Sequence, residues 1–168
     1  MQRIMIIGQP GSGKSTLARQ IGDRTGLPVY HIDHIHWTRG WVERSAPEKT
    51  RMCLEVHAKE SWVFEGGHSV TWLDRLERAE ALIWLDIPIC VRLYRIMRRT
   101  ARYLGKSRPD LPDGCPERFE WRFMLWVGQT RDSARQHCQK LVQACPQDKS
   151  LVILRTDNEI SQFLSFLS

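Results

Sequence analysis

The chain has 168 residues, 42% of them hydrophobic and 26% charged, with a formal net charge of +6. That length suits one domain with one core, and no apolar stretch reaches the roughly twenty residues needed to cross a bilayer. The basic balance points to an anionic partner: a nucleotide, a nucleic acid or a phosphorylated metabolite. The five cysteines are Cys53, Cys90, Cys115, Cys138 and Cys145. Their odd number and the lack of a C-x-x-C pair argue against a disulfide framework and a zinc ribbon, so reduced thiols are expected. The apolar part of "MQRIMIIG" is too short for a secretory signal, and a cytoplasmic protein is expected.

Short apolar runs alternate with longer helical segments. "RIMIIG" (3–8) reads as a buried strand. "KSTLARQIGDRTG" (14–26) reads as a helix closed by Gly26. "LPVYHID" (27–33) is a second strand, which Asp33 ends. Residues 47–60 form a helix with Pro47 at its start. "WVFE" (62–65) is a third strand, stopped by Gly66 and Gly67. A short helix (71–80) and a fourth strand, "ALIWLD" (81–86), follow. Residues 89–104 form a basic helix. "GKSRPDLPDGCPE" (105–117) is an irregular loop, long enough to be a lid or a binding element. Residues 117–142 are helical with a break near Gly128. "SLVILR" (150–155) is a fifth strand, and 157–167 a closing helix with Asp157 as N-cap. Strands that alternate with helices, each one continuously apolar, predict a parallel sheet covered on both faces.

"GQPGSGKS" (8–15) fits G-x-x-x-x-G-K-[ST] without a mismatch. Gly8, Gly11 and Gly13 let the backbone turn tightly and gather N–H groups, that of Ser12 among them, around one anion. The helix that begins at Lys14 turns its positive end to the same anion. Lys14 reaches the outer phosphates, the Ser15 hydroxyl sits on Mg²⁺, and Thr16 closes the loop. ATP with Mg²⁺ is therefore the expected ligand.

Size and element order resemble the nucleoside monophosphate kinase and shikimate kinase group. That likeness implies an α/β three-layer P-loop NTPase sandwich, a five-stranded parallel sheet in the order 2-3-1-4-5, and an arginine-bearing lid. Residues 1–168 would be one kinase-like domain, with 105–117 as its lid-type loop. Four segments besides the phosphate loop resemble a narrower family, the topology modulation proteins (FlaR-related), which look like adenylate kinases. They are "HIDHIHWTRGW" (31–41), "WVFEGGHS" (62–69), "RAEALIWLDIP" (78–88), and "RPDLPDGCPERFEWRF" (108–123) with its Arg108-Pro109-Asp110 and Gly114-Cys115-Pro116-Glu117. Where that family has Asp-Gly-Asn-Tyr, this chain has Glu65-Gly66-Gly67-His68.

Several side chains are candidates for the chemistry. Asp33, at the carboxyl end of strand two, is placed to orient or deprotonate an acceptor. Glu65 and Asp86 both end apolar runs; the third-strand acid before glycine fits the adenylate kinase-like pattern better, so Glu65 is expected to hold the Mg²⁺ water shell. "HIDHIH" (31–36) suggests a metal, but an extended strand puts only two ligands on each face, short of a zinc site. Arg92, Arg95, Arg99 and Arg102 share one helix face, where like charges repel unless an anion joins them. The resemblance makes Arg95 and Arg99 the first candidates for the phosphates, with Arg131 and Arg135 on the return side of the lid. Trp37 and Trp41 either stack on a ring or roof the core. Trp121, Phe123, Trp126 and Val127 read as core. The expected function is transfer of the ATP γ-phosphoryl group to a small acceptor, such as a nucleoside or nucleotide. The alternatives are an ATP-dependent nucleic-acid-binding protein acting on DNA topology, and an ATP-binding regulator that hydrolyses slowly.

Overall fold

The computed structural model describes residues 1–167. Its elements, in chain order, are β1 (Arg3–Gly8), α1 (Lys14–Thr25), β2 (Val29–His31), α2 (Ile32–His36), β3 (Trp37–Thr38), β4 (Val42–Glu43), α3 (Ala46–His57), β5 (Trp62–Glu65), α4 (Trp72–Arg78), β6 (Ala81–Leu85), α5 (Ile89–Tyr103), α6 (Trp121–Gln129), α7 (Arg131–Gln143), β7 (Ser150–Leu154) and α8 (Asp157–Ser165). Five parallel strands form one sheet in the order β2-β5-β1-β6-β7. In chain order of those strands this is 2-3-1-4-5, as expected. β3 and β4 form a separate antiparallel hairpin.

Covering both faces explains the unbroken apolar strands. Met5, Ile7, Trp62, Phe64, Leu82 and Trp84 point to one side, into a core with Ile32, Cys53, Leu76 and Leu141. Ile4, Ile6, Val63, Ile83 and Leu85 point to the other, against Leu17, Ala18 and Ile21 of α1 and Leu164 of α8. Successive residues thus alternate between two cores, and each strand is apolar throughout. All of these strands end toward the phosphate loop. β1 pairs through Gly8 with Leu85, and β5 ends at Glu65 opposite Ile6.

The structure revises four readings of the sequence. β2 stops at His31, and Asp33 lies in the first turn of α2 rather than at a strand end. The helical stretch expected from 117 begins at Trp121 and breaks at Thr130, two residues after Gly128. The N-cap of α8 is Thr156, whose hydroxyl accepts from the Glu159 N–H at 3.2 Å; Asp157 is the first helical residue. Trp121 and Trp126 are not core: they are 64% and 49% exposed, and on that segment only Val127 is buried.

Candidate functional site

The phosphate loop is held from behind by its own protein. Gly11 and Gly13 have φ of +78° and +98°, a region other residues enter only with strain. A Cβ on Gly11 would also lie 2.6 Å from the Arg92 carbonyl oxygen. Arg92 Nη1 donates to the Pro10 carbonyl at 3.2 Å, and Arg95 Nη1 donates to the Ser12 carbonyl at 2.7 Å. Gln9 Nε2 donates to the Arg131 carbonyl at 2.6 Å. The inner side of the loop is left for a ligand. Ser12 is fully buried and its Oγ has no partner among the described residues, a state that costs free energy unless a ligand fills it. Lys14 Nζ rests on the Gln9 carbonyl at 3.2 Å. An orphan hydroxyl, a lysine and a helix N-terminus around one loop fit a polyphosphate.

Glu65 is the acid beside this loop. The Ser15 hydroxyl donates to Glu65 Oε1 at 3.0 Å. His31 Nδ1 donates to the same oxygen at 2.8 Å, and Glu65 is 2% exposed. A hydroxyl and a carboxylate at this spacing fit Mg²⁺ with Ser15 as direct ligand and Glu65 as holder of its water. Asp86 is engaged elsewhere: Arg135 Nε and Nη2 both donate to it at 2.8 Å, and Arg155 Nε lies 3.7 Å away. Those guanidinium groups hold its carboxyl below the usual range, Arg135 foremost. Arg135 is thereby a strut under β6, not a cleft residue.

Asp33 reaches the cleft although its backbone is helical. Its carboxyl pKa is raised to about 6, first by burial and then by the charge of Glu65, with Asp110 adding and Arg108 and Lys14 opposing. A carboxylate poised near neutrality suits proton transfer from a hydroxyl. The "HIDHIH" histidines disperse: His31 is bound to Glu65, while His34 Nε2 donates to the Pro109 carbonyl at 3.2 Å. Among the described residues, no group of three or more His, Cys, Asp or Glu is placed to hold a metal ion.

The arginine face of α5 divides. Arg92 is buried and braces the loop; Arg95 also pairs with Asp157. Arg99 lies 3.3 Å from Glu117. Arg131 turns outward to Asp132 at 3.3 Å, and its side chain does not line the cleft.

Three features could not be read from single positions. The first is a buried ion cluster in the 105–117 loop. Arg108 pairs with Asp110 at 2.7 Å and with Glu117 at 2.6 Å, each side chain being at most 8% exposed. Glu117 also accepts from the Thr100 hydroxyl at 2.9 Å. Alternating signs in "RPD" and "PERFE" were the only signal. The second is the β3–β4 hairpin. It presents Trp37 and Trp41 to the cleft with ring centroids 5.4 Å apart, and Trp41 has φ +62°. The third is a seam between that hairpin and the loop. Gly40 N donates to the Gly114 carbonyl at 3.0 Å, Trp41 Nε1 to the Pro116 carbonyl at 3.1 Å and Cys115 Sγ to the Thr38 carbonyl at 3.2 Å.

These elements enclose one cleft of about 1080 Å³, running from Asp157 and α8, past the phosphate loop, to Asp33 and the hairpin. Phe123 and Trp126, stacked at 5.9 Å, also line it.

Comparison with known proteins agrees with this geometry. The profile of the family described as "ATPase family associated with various cellular activities (AAA)" matches residues 4–81, from β1 to the start of β6. A cytidylate kinase of Aeropyrum pernix is 35% identical over 109 residues, covering 56% of this chain and 63% of that protein. Threonine synthase-like 1 of Mus musculus is 26% identical over 124 residues, covering 63% of this chain and 16% of that protein. The chain thus spans less than two thirds of the curated relatives it matches. Among solved structures, the shikimate kinase of Acinetobacter baumannii in complex with shikimate superposes with TM-score 0.59 at 17% identity, covering 99% of this chain and 90% of that one. The shikimate kinase of Bacteroides thetaiotaomicron gives TM-score 0.60 at 18% identity, covering 99% and 95%. The fold is that of the P-loop kinases. No helix among the described residues is long and apolar enough to cross a membrane.

Proposed function

We propose that the chain is an ATP-dependent phosphotransferase that moves the γ-phosphoryl group to a small acceptor. One observation carries this: the Ser15–Glu65 pair stands at 3.0 Å beside Lys14, in the same cleft as Asp33. When bound, ATP with Mg²⁺ would supply the phosphoryl group and a cation that offsets its charge. Ser15 would hold the cation and Glu65 its water. The loop N–H groups from Gly8 to Thr16, with Lys14, would cradle the phosphates. Arg99 is placed to swing from Glu117 to the transferred group, as the matching family of folds uses lid arginines, while Arg95 acts through the Ser12 carbonyl it braces and Arg131 only through its own carbonyl, which holds Gln9. Asp33 would orient the acceptor hydroxyl and take its proton. Closure of the 105–117 loop would exclude water as a competing acceptor. The likeness to topology modulation proteins and a cytoplasmic location belong to this proposal and add no reaction to it. The nucleic-acid alternative loses its main support, because Arg92, Arg95 and Arg99 are engaged inside the protein.

The test is ADP production from Mg-ATP with a panel of nucleosides, nucleoside monophosphates and hydroxy acids. One acceptor should raise the rate well above the water background, and Lys14→Ala should abolish it. ATP binding with no acceptor effect anywhere in the panel would refute the proposal.

A further inference from the structure

The two ends of the cleft differ in which cations are free. At the α8 end, Arg95 is tied to Ser12 and Asp157. Arg98 and Arg102 follow it at three and seven positions, on the same stripe of α5. Both line the cleft, and neither has a carboxylate partner among the described residues. This end can receive an anion.

At the Asp33 end every cation but Lys14, which the proposed reaction assigns to the ATP phosphates, is already matched. Arg108 is held by Asp110 and Glu117, and Arg19 lies 3.3 Å from Asp110. Lys49 is bound to Glu43 at 2.6 Å. Arg44 Nη1 donates to the carbonyls of His34, Ile35 and Trp37 at 2.8–2.9 Å, and its Nε faces Glu48. Arg75 lies fully buried behind β5, on the Gly66 carbonyl and the Phe64 ring. His36 is driven toward its neutral form by burial and by Lys49. The charges that remain facing this end without a lysine or arginine partner are acidic: Asp33 and Glu65. Its walls also carry the indoles of Trp37 and Trp41. Trp41 keeps its place there with a left-handed backbone, φ +62°, a conformation strained in a residue with a Cβ. A strained aromatic residue at a cleft wall points to a role in binding.

Resting on the phosphotransferase reading above, we infer that the acceptor is an uncharged, hydroxyl-bearing ring compound of nucleoside type, not a phosphorylated or carboxylated one. With Lys14 taken by the donor phosphates, an anionic acceptor would meet two carboxylates that no cation offsets, Asp33 and Glu65, a desolvated like-charge contact that acts as a rejection device. A flat neutral ring meets indole faces and loses little on desolvation. The reaction is balanced without further reagents. The acceptor hydroxyl oxygen bonds to the γ-phosphorus of ATP, and the bond from that phosphorus to the β–γ bridging oxygen breaks. Its electron pair leaves with ADP, and the hydroxyl proton passes to Asp33 and then to water.

The experiment is steady-state ADP release with matched pairs: each common ribonucleoside against its own 5′-monophosphate, with shikimate as a carboxylated alcohol. The expected result is a kcat/KM at least about tenfold higher for the nucleoside of the preferred pair. Asp110→Asn removes one partner of Arg108 and should raise the monophosphate's kcat/KM relative to the nucleoside's by about tenfold. Should that variant fail to fold, the wild-type ratio still decides. A wild-type preference for the monophosphate or for shikimate overturns the inference while leaving the phosphotransferase standing. No acceleration by any member, with Mg-ATP bound, overturns both.

Discussion

Gly66 allows the sharpest test of how the site is built. Its φ is +106°, and a Cβ there would sit 2.1 Å from Ile32 Cγ2 and 2.9 Å from Ile32 Cβ. The backbone cannot swing aside. Gly66 N–H donates to the Ile6 carbonyl at 3.2 Å, and its own carbonyl accepts from the buried Arg75 at 3.0 Å. Ile32 cannot retreat either, since it is packed in the core with Phe64 and Cys53. Gly66→Ala therefore combines a strained backbone, about 1–3 kcal/mol, with overpacking of a closed site, about 1–3 kcal/mol. A total near 4 kcal/mol corresponds to a fall in Tm of about 10 °C for a chain of this size. Urea unfolding followed by tryptophan fluorescence measures it. Ile32→Ala alone should cost about 3 kcal/mol through its cavity. It also removes the clashing methyl, so the double variant should be more stable than the sum of the two by at least about 1 kcal/mol. Strict additivity, or a Gly66→Ala protein within about 1 kcal/mol of wild type, would refute this account of the packing.

Three further outcomes follow from the same geometry. Asp33, its pKa raised to about 6 from 3.8, binds its proton more tightly when folded, so its contribution is complete below pH 4 and is lost as pH rises toward 6. Asp33→Asn should thus be more stable than wild type at pH 7.5, by about 2 kcal/mol, and lose that advantage near pH 4; urea midpoints across that range check it. Asp86 shifts the other way, lowered by Arg135, so its contribution is present above about pH 4 and disappears as pH falls below it. Arg135→Ala should cost about 1 kcal/mol at neutral pH, because the arginine is half exposed, and progressively less as acid protonates Asp86. Thr156→Ala should lower stability by about 1 kcal/mol through loss of the α8 cap, whereas Asp157→Asn should cost less than half of that; thermal unfolding separates the two.

The parts of this molecule that depend on local pattern could be read directly. The phosphate loop needs only its glycines, lysine and serine in a strand–turn–helix context, and all of these stand where the sequence placed them. The five sheet strands were visible because a doubly covered sheet makes each one apolar throughout. Glu65 was separable from Asp86 because glycine follows only the former, and the structure gives Ser15 to Glu65 and arginines to Asp86. Asp33 was misread in its backbone because "VYHID" continues the apolar run, while the chain coils into α2 to bury Ile32 and Ile35. The tryptophans of α6 were misread because periodicity shows that a face is apolar, not what covers it. The Arg108–Asp110–Glu117 cluster was out of reach for a different reason. Its pairs bridge a loop without periodicity, and their signs acquire meaning only when the fold closes the loop on Thr100 and Arg99.

The seam between the β3–β4 hairpin and the 105–117 loop has a mechanical consequence. Two flaps hinged on opposite rims of a cleft can each open alone, letting either reactant come and go in any order. Here the flaps are stitched tip to tip by backbone and indole hydrogen bonds. They form a single arch with two feet, one after β2 and one after α5. An arch transmits load between its feet, so a push on the indole side is felt at the guanidinium side. On the proposed function, traffic through the cleft would be governed by one gate, and whatever loosens one end of it would change the residence time of the guest at the other.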